Sequence, residues 1–225
     1  MDIYYLILVV PTLILSMVAQ FMVKTTFNKY SKVQCSRNIT GQGAAQILLQ
    51  NNSIGNVAIE RVQGSLTDHY DPRSKKLRLS EPVYGQPSIA AVGVAAHETG
   101  HAIQDAKGYG PLVLRRTLVP VANIGSSLGP WIAIAGLALS FPILINLGLL
   151  LFAGAVIFYV ITLPVEFNAS ARALAILRSG NVLTPEELKG VKKVLSAAAM
   201  TYVASALTAL MSFLRLFLIS RGRRR

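Results

Sequence analysis

The amino-acid sequence predicts an α-helical membrane protein with a small α+β domain and about three to four transmembrane or membrane-associated helices. Three observations predict this fold class. Hydrophobic residues make up 52% of the 225 residues, and charged residues only 14%. The mean hydropathy of +0.49 is high for a soluble domain. Long uncharged stretches alternate with polar segments that have strand-like or helical patterns.

The first uncharged stretch, residues 3–23, is 21 residues long and can cross a bilayer. No basic segment precedes it and no small-residue cleavage site follows it, so a signal peptide is disfavoured. We interpret residues 1–23 as a retained N-terminal membrane anchor. Lysines follow the stretch directly, which predicts by the positive-inside rule that residues 24–116 are cytoplasmic.

The second uncharged stretch is 49 residues long and lies between Arg116 and Glu166. It is too long for one span and suits two, with a turn near Pro142 and Asn146. We therefore expect a transmembrane hairpin at residues 117–165. A hairpin returns the chain to the membrane face that it left, so Glu166 can approach the preceding polar region.

A third uncharged stretch, residues 194–214, is rich in alanine, serine and threonine. It can span the membrane or pack partly against protein. If it crosses, the five arginines that follow it lie on the outside, against the positive-inside rule. Residues 194–225 are accordingly predicted as a C-terminal hydrophobic helix with a basic tail, and the crossing is left open.

The polar region 24–116 has several regular segments. They are a helix at 40–51 with Thr40 as N-cap, strands at 56–62 and 76–80, and a helix that begins after Ser88 and ends before Gly108. An exposed edge at residues 76–80 would pair with an extended peptide by strand addition. In the second polar segment, 166–193, a helix start has Thr184 as N-cap, Pro185 at N1 and Glu187 at N3.

The helix after Ser88 contains His97, Glu98 and His101, which match the pattern H-E-x-x-H. Positions i and i+4 share one helix face, so both imidazoles can reach one metal ion. Glu98 then lies where it can hold a metal-bound water and take its proton. The pattern predicts a zincin-like catalytic region at 24–116 with one zinc ion.

Two histidines leave a catalytic zinc site one protein ligand short. The metzincin form is excluded because positions 104 and 107 are glutamine and lysine. Asp105 lies one turn beyond His101 on the same helix and is too close to converge on the ion. Among the remaining acids and histidines, Glu166 is the first candidate for the third ligand because it heads a second helix. Glu81 and His69 are the next candidates.

The segments "AAHETGHAIQD", "LPVEFNASARAL" and "LTDHYDPRSKKLRLS" resemble the YugP-like membrane zinc metallopeptidases, and the resemblance covers nearly the whole chain. The layout is also similar to HtpX-type membrane proteases. The resemblance implies a gluzincin-like peptidase with metal ligands His97, His101 and Glu166 and with Glu98 as base. HtpX-type enzymes carry an aspartate four residues after that glutamate. Ser170 stands there instead and can still hydrogen-bond to a histidine, but without a charge.

His69 has two interpretations. It is a plain turn histidine between Asp68 and Asp71, or it lies with Tyr70 beside the scissile carbonyl as an oxyanion donor. We include His69 as a candidate catalytic residue. Arg172 can either pair with an acid or lie on a solvated helix face.

These patterns predict a multi-pass cell-membrane endopeptidase that cleaves peptides or membrane proteins near the bilayer. The alternative is a non-catalytic metal-binding scaffold or assembly factor. The net charge of +12 does not indicate a nucleic-acid partner, because basic residues flank the apolar stretches and no basic stretch has interleaved aromatic residues. A transporter is disfavoured because the hairpin has no ionisable group. The sequence does not specify an oligomeric state.

Overall fold

The computed structural model describes residues 2–222 and is mostly helical, with one three-stranded sheet. The helices are α1 (Val10–Tyr30, preceded by a π-helical turn Tyr5–Val9), α2 (Gly41–Asn51), α3 (Glu81–Tyr84), α4 (Ile89–Ala106), α5 (Gly110–Ser127), α6 (Gly129–Ala138), α7 (Pro142–Ser179) and α8 (Pro185–Gly222). The strands are β1 (Ala58–Val62), β2 (His69–Asp71) and β3 (Lys76–Ser80). This architecture confirms the predicted fold class.

Within residues 2–222, four helical stretches are long and apolar enough to cross a membrane, judged by length and composition. They are Tyr5–Tyr30, Gly110–Ala138, Pro142–Ser179 and Pro185–Gly222. The predicted hairpin turn falls between α6 and α7, where Ser140 has a positive φ of 52°. Residues 194–214 lie within α8, and α8 as a whole meets the criterion for a span.

The chain divides into two compact units. The first, which we call the helical unit, takes in the described parts of Met1–Gln20, Val113–Pro164 and Met200–Arg225. Within it, α7 packs closely against the α5–α6 segment because small residues occupy the crossing. A Cβ at Gly125 would collide with the backbone of Leu151, and a Cβ at Gly148 with the backbone of Ala133. Close backbone approach of this kind is typical of helices packed in membranes.

Polar contacts also join α1 to α8 within the helical unit. Ser16 Oγ lies 3.2 Å from Thr208 Oγ1. Near the N-terminus, Arg215 Nη2 donates to Asp2 Oδ2 at 2.6 Å and Nε contacts the same carboxylate at 3.1 Å. The hydrogen bonds from Arg215 lower the pKa of Asp2 to about 2. The segment that precedes the first helix is thereby joined to α8 by charge-assisted hydrogen bonds.

The second unit, the α+β unit, takes in Phe21–Leu112 and Val165–Ala199. Its sheet has the order β1-β3-β2, with β1 parallel and β2 antiparallel to β3. The predicted exposed edge at residues 76–80 is wrong, because β3 is the central strand and is hydrogen-bonded on both sides. Its side chains Leu77 and Leu79 are completely buried. The edges of the sheet belong to β1 and β2.

The predicted helix starts of the α+β unit are confirmed. Thr40 Oγ1 accepts from Gly43 N at 3.1 Å, and Ser88 Oγ accepts from Ala91 N at 3.2 Å. At α8, Thr184 Oγ1 accepts from Glu187 N at 3.3 Å, and Glu187 Oε2 accepts from Thr184 N at 2.7 Å. The reciprocal pair is a capping box, which satisfies two backbone donors at once.

Helix α4 lies in the centre of the α+β unit. Its residues Val92 and Ala96 pack in one buried cluster with Leu48 of α2, Leu177 of α7 and Val191 of α8. Its other face joins a second cluster that includes β3 and α3. Because α4 is surrounded by packed elements, its side chains are held in fixed directions.

Candidate metal centre

Helix α4 presents His97 and His101 on one face, as the spacing of four residues predicts. The two ring centroids are 4.8 Å apart and the rings are almost perpendicular, at 85°. His101 is buried and His97 is partly buried. The pair is therefore largely shielded from solvent by the surrounding helices.

Helix α7 supplies the third group. It continues without interruption through Pro164, so the prediction that Glu166 begins a second helix is wrong. Glu166 lies inside α7, two residues after Pro164, with only 2% of its surface exposed. Glu166 Oε2 is 3.2 Å from His97 Nε2 and 3.6 Å from His101 Nε2. Ligand atoms of these three residues all lie within 4.8 Å of one another, and this is the one such group among residues 2–222.

The donor set fits a zinc ion. Zinc in a tetrahedral site takes nitrogen and oxygen ligands at about 2.0–2.2 Å, so its ligand atoms lie roughly 3.3–3.6 Å apart. The two separations from Glu166 Oε2 to the histidine Nε2 atoms, 3.2 and 3.6 Å, are close to that range. Two histidines and one carboxylate also leave a fourth position open, which is the ligand count of catalytic zinc sites.

The approach of α4 to α7 at this site depends on Gly100. A Cβ at Gly100 would lie 2.6 Å from the backbone oxygen of Ala169, a separation that real Cβ atoms do not show. The conflict is with backbone, which moves less easily than the end of a side chain. Gly100 therefore permits the helix contact that brings Glu166 to the histidines.

We expect Gly100→Ala to lower stability by about 1–3 kcal/mol and to weaken zinc binding, because the added methyl group separates α4 from α7. Thermal unfolding and zinc titration of the purified protein measure the two effects. Gly93→Ala on the same helix is the matched control, since the nearest contact of its Cβ would be a side-chain methyl group of Val191 at 3.0 Å rather than backbone. Equal losses in both variants would contradict this role of Gly100.

Both histidines have a polar partner on the ring nitrogen that faces away from Glu166. Ser170 Oγ lies 3.2 Å from His97 Nδ1, as expected from its position four residues after Glu166. Gln104 Oε1 lies 3.0 Å from His101 Nδ1. Each partner fixes the orientation of a ring, so both Nε2 atoms point to the same place.

The electrostatic environment also suits a divalent cation. Burial alone would lower the pKa of His101, but the hydrogen bond that its ring donates to Glu166 and the charges of Glu98 and Glu166 outweigh burial and raise that pKa. Two acidic side chains thus act on one buried imidazole. A positive ion here would meet a negative potential in a region of low dielectric constant.

A family model described as "Putative neutral zinc metallopeptidase" matches residues 5–221 of the chain. The chain belongs to this zinc metallopeptidase family. A relative from Bacillus subtilis (strain 168), "Putative membrane protease YugP", is 49% identical over 215 residues, which cover 96% of each of the two chains. No solved structure gives a significant match. The family description specifies zinc, which agrees with the His-His-Glu donor set.

Glu98, between the two histidines in the sequence, is a buried acid without a hydrogen-bond partner among the described residues. Its side chain is 8% exposed and makes no hydrogen bond or ion pair with the residues that the structure describes. Its charge nevertheless acts on both His101 and Asp68. Glu98 is outside the ligand group formed by His97, His101 and Glu166.

The other candidates lie elsewhere. Glu81 forms an exposed ion pair with Arg61 at 2.8 Å and is not in the ligand group. His69 is exposed, with Nδ1 2.9 Å from the oxygen of Thr67 and Nε2 3.4 Å from Arg78 Nη1. It is likewise outside the ligand group. A catalytic role for His69 stays a prediction.

Tyr70, which follows His69, and Asp105 contact each other and have structural roles. Tyr70 Oη donates to Asp105 Oδ2 at 2.8 Å, and Lys75 also contacts that carboxylate. Burial, and then the bond to Asp105, raises the pKa of Tyr70. The Asp105 carboxylate thus binds Tyr70 of β2 and Lys75 of the following turn. These contacts agree with its exclusion as a metal ligand.

Sequence reasoning missed two residues of the site. Gln104, completely buried beside His101, carried a signal: a glutamine three residues after a metal-binding histidine lies on the same side of the helix. Asp68 carried no local signal. Its carboxylate accepts from Ser80 N and Oγ at 2.7 and 2.8 Å, and burial followed by the charge of Glu98 raises its pKa.

Proposed function

We propose that the chain is a membrane-embedded, zinc-dependent endopeptidase of the gluzincin type that cleaves membrane or membrane-proximal proteins. The observation that carries the proposal is the convergence of His97, His101 and Glu166 within 4.8 Å, with the buried carboxylate of Glu98 outside the ligand set. A structural zinc site would have four protein ligands, whereas this group offers three.

Each residue has a separate role in this proposal. His97, His101 and Glu166 hold the ion through two Nε2 atoms and one carboxylate oxygen. A bound zinc ion supplies a Lewis acid that polarises the substrate carbonyl and makes its water more acidic. Glu98 accepts a proton from the attacking water and passes it to the leaving amine.

The proposed substrates follow from the location of the site along the chain. Glu166 comes two residues after Pro164, in a helix whose preceding residues are apolar enough to cross a membrane. A ligand that belongs to a membrane-spanning helix favours substrates that are themselves in or near the bilayer. The lysines that follow the first span favour a cytoplasmic location of the catalytic region.

The experiment that tests the proposal measures zinc and peptide cleavage on the same preparation in detergent or lipid vesicles. We expect one zinc ion per chain, loss of cleavage after chelation, and recovery when zinc is returned in stoichiometric amount. A chain that binds no zinc, or that cleaves equally well after chelation, would contradict the proposal. Zinc binding without any cleavage of a broad peptide and membrane-protein panel would favour the scaffold alternative.

A further inference from the structure

The amide of Gln104 connects the metal-facing surface of α4 to α7. Gln104 is completely buried, and its Oε1 lies 3.0 Å from His101 Nδ1. Its Nε2 donates to Val165 O at 2.8 Å and to Asn168 Oδ1 at 3.0 Å. All three polar contacts of this side chain therefore end on the metal ligand or on the helix that carries Glu166.

The direction of these hydrogen bonds is fixed by a residue that only donates. Arg172 Nε lies 2.7 Å from Asn168 Oδ1, and a guanidinium has no acceptor atom. The Asn168 atom that faces Arg172 must therefore be its oxygen. The same oxygen faces Gln104, so Gln104 must present its nitrogen there.

A second contact leads to the same orientation independently. Val165 O is a backbone carbonyl and can only accept, so the Gln104 atom that faces it must be the NH₂ group. Both constraints place the Gln104 oxygen toward His101. An amide oxygen accepts only, so the hydrogen bond requires a proton on His101 Nδ1. The lone pair of the neutral ring is then on Nε2, which faces Glu166.

We propose that Gln104, Asn168 and Arg172 form a directional hydrogen-bond chain that holds His101 in the Nδ1–H tautomer and so keeps Nε2 ready to bind zinc. Gln104 is a positioning residue that acts through His101. The chain is anchored at its far end by Arg172, whose guanidinium also lies 5.9 Å from the centroid of the Tyr109 ring.

The inference rests on the proposed zinc site and deepens it. An unaided neutral imidazole divides between two tautomers, and a metal ligand of the wrong tautomer must first move a proton. A fixed acceptor on the second nitrogen removes this step and raises the basicity of the ligand. Losing such a partner typically lowers metal affinity by about 10–100-fold.

The test compares zinc affinity in Gln104→Met and Gln104→Glu, each in the full chain. Methionine has a similar size but no oxygen acceptor, so we expect zinc binding to weaken by about 10–100-fold. Glutamate keeps an acceptor for His101 Nδ1–H but loses the donors to Val165 and Asn168. We expect its zinc affinity to stay within a few-fold of the parent chain, even if both variants lose thermal stability.

Gln50→Met is the matched control, because Gln50 is exposed on α2 and outside the site. A packing role of Gln104 predicts equal loss of zinc affinity in the methionine and glutamate variants, and that result would overturn the inference. Unchanged zinc affinity in Gln104→Met would overturn it as well.

A measurement on the unsubstituted chain does not depend on how the variants fold. The sequence has three histidines, so ¹⁵N-labelled histidine gives a spectrum with few signals to assign. In the zinc-loaded protein we expect His101 to bind the ion through Nε2 and to carry its proton on Nδ1, and binding through Nδ1 would overturn the inference. Failure of the chain to bind zinc would instead count against the proposed function, so the two failures are distinguishable.

Discussion

Replacing Glu98 with glutamine should leave zinc binding intact and lower peptide cleavage by about 10²–10⁴-fold, the contribution of a general base. Glu98 lies outside the ligand group, so the ion keeps all three protein ligands. Glutamine has nearly the same volume and fits the same buried position, but an amide cannot take a proton from water. The expected result is therefore a metal-loaded, folded and inactive protein.

The measurement combines zinc content by elemental analysis with the rate of cleavage of one peptide or membrane-protein substrate. Glu81→Gln is the matched control, because Glu81 is an exposed acid of the same unit, paired with Arg61. We expect the control to retain its rate. Undiminished cleavage by Glu98→Gln would refute the assignment of Glu98 as base, and loss of zinc would show that Glu98 has a ligand role.

Replacing Glu166 with glutamine should remove zinc together with activity. Glu166 is the anionic ligand of the group and approaches both imidazoles, and a neutral amide oxygen is a much poorer zinc ligand. Losing a residue that hydrogen-bonds to a metal ligand lowers metal affinity by about 10–100-fold. Because Glu166 is itself a ligand in this proposal, we expect its loss to lower zinc affinity by more than about 100-fold. Cleavage should fall to the level of the chelated parent protein.

Zinc titration followed by thermal unfolding measures this loss, because a ligand that binds only the folded chain raises its unfolding temperature. The parent chain should gain stability with zinc and Glu166→Gln should not. Glu186→Gln is the matched control, since Glu186 is an exposed acid at the start of α8 that pairs with Lys189. A Glu166→Gln variant that binds zinc as tightly as the parent would exclude Glu166 as a ligand.

The features that sequence reasoning predicted are local or periodic. The caps Thr40, Ser88 and Thr184 act on backbone within three residues, and uncharged stretches are visible as composition. His97 and His101 share a face because any helix places i and i+4 together. Glu166 is a candidate ligand from the sequence because of the count of acids and the hairpin that returns the chain, without knowledge of a contact.

The features that sequence reasoning missed depend on how segments distant in the chain pack against each other. β3 has the alternation of a half-buried strand, but whether it is an edge or a centre depends on where β1 and β2 pair. Asp68 reaches the neighbourhood of Glu98 through a loop held by Ser80, and no local pattern describes that approach. In the sequence, Gln104 does not differ from other polar residues near the end of α4. Its role becomes visible only from its hydrogen bonds to Val165 and Asn168 of α7.

The sequence by itself determined the apolar spans, the H-E-x-x-H helix and the candidate third ligand, because helical periodicity and membrane length are properties of neighbouring residues. Only the tertiary structure decided that Glu166 lies against both Nε2 atoms and that Gly100 admits the close contact of α4 with α7. It also decided that an arginine on α7 orients two amides behind His101. The physical reason is that donor direction and backbone collision depend on atoms from separate helices, whose positions are fixed by packing of the whole unit.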